Sequence, residues 1–213
     1  PRRIIRIVRG AIRQFERVSA GWRERLVGVS QDGEQLVFTH ADTPPAPDIR
    51  LPSASETPVG GIFEVCTPGV DLAGEIAVWL VQNGGRALVI DYGHLASGLG
   101  DTLQAVRRHQ FWPVLAAPGK ADITAHVDFE ALAAAAIAAG AVTWGPLPQG
   151  QFLRRIGLET RMAKLCEGKS GAEREAILSG AIRISAPEQM GEVFKALCLS
   201  APSLPAPAGF EAP

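Results

Sequence analysis

The sequence predicts an α/β fold, on three observations. Ala87 to Ile90 form a continuous apolar run too short for a helix, bounded by Gly84-Gly85 before it and Asp91-Tyr92-Gly93-His94 after it. Such a run reads as a strand buried on both faces of a parallel sheet. The stretch before it, residues 67–83, has the apolar spacing of a helix, with Pro68 and Asp71 suited to its start and Asn83-Gly84-Gly85 to its end. The pattern of helix, glycine stop and buried strand returns downstream, where EALAAAAIAAG leads through Gly140 into a second short strand, Ala141 to Trp144. Ligand sites in open α/β sheets lie beyond the carboxyl ends of such strands, so Asp91 to His94 occupy the expected place for chemistry.

Composition narrows the function classes. The chain has 213 residues and can bury a real core. A formal net charge of -1 gives no reason to expect nucleic acid as the partner. No apolar run approaches the length of a membrane span. Cys66, Cys166 and Cys198 are odd in number, far apart and without CxxC spacing, which argues against a disulfide framework or a zinc site.

In chain order, residues 1–17 place Arg2, Arg6, Arg9, Arg13 and Arg17 at helical spacing, with Ile5, Val8, Ile12 and Phe15 in the same period. Because Gly10 interrupts the pattern and serines are missing, a solvated basic helix face is read here in preference to a membrane-surface or targeting helix. GWRERLVGVSQDGEQLVFTH predicts a hairpin turning at Gln31-Asp32-Gly33. The Pro- and Ser-rich stretch 41–61 predicts an exposed loop, and Ile62–Cys66 a short strand. Residues 100–129 read as long and irregular. Two amphipathic helices follow, over 151–168 and 172–185, divided by Gly168 to Gly171. VFKALCLS is expected to close the sheet, and the Pro- and Ala-rich tail 201–213 to lie on the surface or be disordered.

The blocks ALVIDYGH, GDTLQAVRRH, PGKADITAHVDFEAL, GPLPQGQFLRRIGLETR and MGEVFKAL, in that order, resemble the MidA family of class I S-adenosylmethionine-dependent methyltransferases. The similarity runs from about Ile12 to Phe210. It implies the carboxy-terminal part of a Rossmann-like class I methyltransferase sheet. RALVIDYGH resembles the fifth strand, AVTWGP the sixth and VFKALCLS the antiparallel seventh, with a β-hairpin insertion and flanking helices. A single incomplete domain over 1–213 is expected: hairpin and Pro-rich loop in 12–66, α/β portion in 67–200, tail in 201–213. No GxGxxG occurs, so the family's Gly-rich cofactor loop has no counterpart in this sequence.

The resemblance implies methyl transfer to a protein arginine, with S-adenosyl-L-methionine as cofactor. A subunit of respiratory complex I is the implied protein substrate. It further implies a mitochondrial location for a eukaryotic chain and a cytoplasmic one for a bacterial chain. The missing loop counts against binding of the cofactor by this chain and leaves that binding open.

Among single residues, Asp91 could orient a guanidinium or accept its proton, or else cap the turn that follows. Tyr92 could wall a pocket or merely pack; His94 and His126 are substrate-side candidates that could equally be hydrogen-bonded structural residues. His126 and Asp128 lie two apart with no further ligand spacing, so no metal is expected. Asp128 is read as the N-cap of the alanine-rich helix. Gln149 and Gly150 are expected on the same rim, and the four tryptophans in packing. The rival function is a catalytically inactive relative serving only as a protein-interaction module. An exposed sheet edge would make the isolated chain marginal or self-associating.

Overall fold

The computed structural model describes residues 12–210, which divide into two compact units. The first holds residues up to 68 and 98–126; the second holds 69–97 and the remainder from Val127.

The first unit is built on an antiparallel sheet of β1 (Arg13–Val18), β2 (Gly21–Val29), β3 (Leu36–His40) and β4 (Ile62–Val65), in the order β3-β2-β1-β4. The hairpin predicted from Asp32-Gly33 is β2–β3, with Gly33 at φ 81° and the Ser30 amide donating to the Gln35 carbonyl. The basic helix is corrected: Arg13–Val18 is a strand, because pairing to both β2 and β4 outweighs a helical spacing of arginines. Residues 1–11, which carry the rest of that pattern, lie outside the described residues. β1 is central to its sheet, and both Gln14 (5% exposed) and Phe15 are buried, on opposite faces.

Residues 100–129 are also more regular than expected. β6 (Gln104–Arg107), β7 (Gln110–Trp112) and β8 (Asp122–Thr124) form an antiparallel sheet ordered β7-β6-β8. The β6–β7 turn uses Arg108 and His109 at φ 51° and 62°, where a sequence reader looks for Asn-Gly. Stacking of Arg107 over the Trp112 ring, 4.8 Å from its centroid, helps hold that hairpin shut.

In the second unit α1 (Thr67–Asn83) runs into β5 (Arg86–His94) through Gly84 and Gly85, both at positive φ. The two-residue strand β9 (Val127–Asp128) leads into α2 (Phe129–Ala138), and β10 (Val142–Pro148) into α3 (Gln149–Arg155). The segment expected as one helix over 151–168 breaks at Gly157 (φ 91°), giving α3 and α4 (Leu158–Cys166). α5 (Gly171–Ser185) starts in a capping box between Ser170 and Glu173, whose hydrogen bonds hold the Glu173 carboxyl below its ordinary range. A π-helical turn, Pro187–Gly191, delivers the chain to β11 (Phe194–Ser200).

Strand order in this sheet is β10-β11-β5-β9, with β11 antiparallel to both neighbours and β9 parallel to β5. The segment expected as the antiparallel seventh strand, β11, is antiparallel to both neighbours. One face packs Leu197 and Leu199 of β11 and Ala87 and Val89 of β5 against Ala77 and Leu80 of α1 and Phe129, Ala133 and Ala136 of α2. The other packs Ala196 and Cys198 against Phe152, Leu147 and Phe210.

Three expectations fail here. β5 is not buried on both faces: Leu88 is 51% and Ile90 41% exposed, because the cover on that face reaches β11 and β10 and stops. The tail is not loose before residue 211: Phe210 is 7% exposed, its ring 5.1 Å from that of Phe152. Trp79, expected in packing, lies exposed on α1. Phe210→Ala empties a core position and is expected to cost about 3 kcal/mol in urea unfolding. A loss under about 1 kcal/mol would show that the tail does not dock.

Candidate functional site

The sequence motif at the end of β5 has a physical reading residue by residue. Asp91 Oδ1 accepts the Tyr92 amide at 2.8 Å, the local cap considered for it. Cross-strand pairing sets Tyr92 beside Phe194, their rings 5.6 Å apart and edge to face, and Asp91 beside Lys195. Lys195 is buried and donates to the Glu192 carbonyl. Gly93 cannot be replaced: a Cβ there would fall on the Val127 carbonyl oxygen, so glycine is what admits β9 alongside β5.

That approach brings the start of α2 to the end of β5. Asp128 is the N-cap, its Oδ1 accepting the Ala131 amide at 3.0 Å. Its Oδ2 accepts the Ser97 hydroxyl at 2.6 Å and stands 3.8 Å from His94 Nε2. Glu130 accepts the Ser97 amide at 2.6 Å. The end of β5 thus groups His94 with Ser97, Asp128 and Glu130, more carboxylate than cation, while Asp91 and Tyr92, one step back along the strand, lie on opposite faces of the sheet.

Gln149 and Gly150 do not form its rim. The Gln149 amide is buried and donates to the Ile184 carbonyl at 2.7 Å, and a Cβ at Gly150 would meet the Ser185 carbonyl. Both residues serve the packing of α3 against α5.

His126 belongs to the first unit, in a network that sequence reasoning did not assemble. Strand register lays Arg25, Gln14 and Glu64 in one row across β2, β1 and β4. Gln14 Nε2 donates to Glu64 at 2.7 Å and to Asp101 at 2.8 Å. Arg25 donates to Asp101 at 2.7 Å, its guanidinium lying 3.6 Å from the centroid of the Phe38 ring. Glu64 also accepts the amide and the hydroxyl of Thr102. The Thr102 hydroxyl in turn accepts the His126 amide at 2.9 Å. The GDT and TAH blocks are therefore tied to each other and to β4 by one carboxylate. A polar residue inside IFEVC was the available sequence signal for Glu64; Gln14 gave none.

Beside this network Arg13 forms a two-pronged pair with Glu24, at 2.8 and 2.7 Å. Those bonds raise the Arg13 pKa above its ordinary value, against the effect of burial and with a smaller contribution from Asp48. A cavity of about 430 Å³ opens alongside Arg13, Gln14 and Arg25. Among the described residues no group of three His, Cys, Asp or Glu is placed to hold a metal, and no helix is long and apolar enough to cross a membrane. Glu64→Ala leaves the Thr102 donors without their acceptor and is expected to destabilise the first unit by about 2 kcal/mol in denaturant unfolding. An unchanged midpoint would remove Glu64 from the role of organiser.

Comparison with known proteins gives a consistent answer. A family model described as "Putative S-adenosyl-L-methionine-dependent methyltransferase" matches residues 11–147. The mitochondrial protein arginine methyltransferase NDUFAF7 of Danio rerio is 32% identical over 187 residues, covering 86% of this chain and 43% of the relative. Its Mus musculus counterpart is 33% identical over 189 residues, covering 86% and 41%. A crystal structure of a Burkholderia thailandensis protein bound to S-adenosyl-homocysteine superposes with a TM-score of 0.75 at 25% identity, covering 94% of this chain and 51% of the other. The chain thus spans less than half the length of these two curated relatives. With the matched family model covering well over half of its residues, the chain belongs to this S-adenosyl-L-methionine-dependent methyltransferase family.

Proposed function

We propose that this chain forms the acceptor side of an S-adenosylmethionine-dependent protein methyltransferase whose target is an arginine. The observation that carries the reading is the carboxylate-rich end of β5, in a chain of this family. Relatives from zebrafish and mouse bear the name protein arginine methyltransferase.

Methyl transfer to a guanidine nitrogen needs that nitrogen held in line and relieved of a proton, which is positioning and general-base work. Asp91 keeps Oδ2 for the substrate while Oδ1 holds the Tyr92 amide, so its carboxylate is fixed in orientation before any substrate arrives. A fixed carboxylate beside a guanidinium gives a charge-assisted hydrogen bond and fits the planar group. Tyr92, braced edge-on by Phe194, supplies a flat wall. His94, 3.8 Å from Asp128, is the group suited to passing a proton outward. His126 lies in the first unit and remains a substrate-side candidate there.

The described residues do not fit a cradle for the methyl donor. The close-packed glycines at the strand and helix junctions are filled by the chain's own backbone: Gly93 by Val127, Gly150 and Gly191 by Ser185. No glycine-rich turn open to a ligand joins a strand to a helix among the described residues, so the donor's half of the reaction is assigned to none of them. The protein substrate is a subunit of respiratory complex I, as the resemblance implies. The chain works in mitochondria if eukaryotic, and in the cytoplasm if bacterial.

A specific observation favours a second reading, that of an interaction module. Leu88 and Ile90 are exposed, and the edge of β5 opposite β11 pairs with β9 only at Gly93 and His94. An edge of this kind invites pairing with another chain, including a second copy.

The two readings separate in a nuclear magnetic resonance titration with N-acetyl-arginine amide. Shifts are expected in the amides of residues 91–94 and 97, abolished by Asp91→Asn and absent with N-acetyl-norleucine amide. A folded chain in which none of these amides moves would overturn the acceptor-site reading.

A further inference from the structure

The first unit contains a cavity that the acceptor site does not use, and its walls are chemically divided. Leu26, Val27, Phe38, Ile49, Leu103 and Ile123 give it an apolar body. Its charged lining consists of Arg13, Arg25, Glu24 and Asp48.

Three of these four charges are already committed. Arg13 and Glu24 hold each other through two hydrogen bonds, and Arg25 is held by Asp101, Gln14 and the face of Phe38. Asp48 has no hydrogen bond or ion pair among the described residues and feels Arg13 only through space. Behind the wall, Asp101 and Glu64 bring the local total to four carboxylates against two guanidiniums. An anion would enter against this excess, and a neutral apolar group would gain nothing from Asp48. A cation on an aliphatic stem satisfies both parts of the wall: its methylenes lie on the apolar body and its head meets Asp48.

We infer that this cavity is a docking pocket for an arginine or lysine side chain of the protein substrate, separate from the residue that is methylated. The inference rests on the reading of a protein as substrate. Thr124 and Ala125, which line the cavity, run directly into His126, whose amide the Thr102 hydroxyl fixes. Occupancy of the pocket would therefore be felt at His126, a substrate-side candidate of the same unit. The volume, about 430 Å³, is in the range of pockets that take a small ligand or a side chain with its neighbours.

The test titrates the whole chain with a short acetylated peptide carrying one lysine between two leucines, read by amide shifts. The peptide has no arginine, so binding at the cavity is read separately from arginine binding at the acceptor site by which amides shift. Shifts at Leu26, Ile49, Leu103 and Ile123 are expected, weakened about tenfold by Asp48→Lys and by doubling the ionic strength to a lesser degree. Asp48 is exposed on a loop, so the variant is expected to fold as the parent does; Asp48→Asn provides an intermediate loss. Binding that is indifferent to Asp48, or preferred by a glutamate peptide, would overturn the proposal. So would shifts confined to residues 91–97. Failure here with intact arginine binding at residues 91–94 would leave the acceptor-site reading standing; the reverse result would remove that reading alone.

Discussion

The second unit depends on β11 being buried on both faces between two strands that run the other way. Leu197 and Leu199 fill one core with α1 and α2, while Ala196 and Cys198 fill another with Phe152 and Phe210. Burial raises the Cys198 thiol pKa above its ordinary value, and the nearby Arg86 offsets this only in part. Small residues on one face and large on the other let β11 sit under covers of different thickness. Its antiparallel register to β5 runs from Ser200 opposite Arg86 to Phe194 opposite Tyr92, and so fixes where β5 ends and what stands beside Asp91.

From that end the site follows by two short-range constraints. Gly93 lets Val127 approach, which seats the N-cap Asp128 next to His94; Ser97 then ties the departing loop to the same helix through Asp128 and Glu130. Both carboxylates sit at the N-terminal end of the helix, where they satisfy backbone amides. In the first unit the equivalent constraint is Glu64, whose hydrogen bonds align two loops by way of Thr102.

Much of this was legible in the sequence. Local signals were strong enough at Asp32-Gly33 for the hairpin, at Asp128 for the helix start and at Gly84-Gly85 for the turn into β5, because each of these acts through its own backbone. The antiparallel run of β11 was legible only through the family resemblance, since no local pattern tells a strand which way its neighbours will run. Long-range partners defeated the reading elsewhere. Arginines at helical spacing said helix over Arg13–Val18, but β2 and β4 on either side decided for strand. A turn at Arg108-His109 carries none of the residues that advertise positive φ, so β6 and β7 were hidden. Leu88 and Ile90 read as core because an apolar run does not reveal whether both faces are covered. The Gln14–Glu64–Asp101 network was invisible because its members lie as many as 87 residues apart and meet only through strand pairing.

The central claim is that the chain carries the acceptor side of a methyltransferase and not a cradle for the donor. Calorimetric titration with S-adenosylhomocysteine, on protein shown to be folded by circular dichroism, tests it most directly. No saturable heat is predicted. Saturable binding in the micromolar range would contradict the account, because it would require a cofactor site among residues that have been assigned only to substrate and packing.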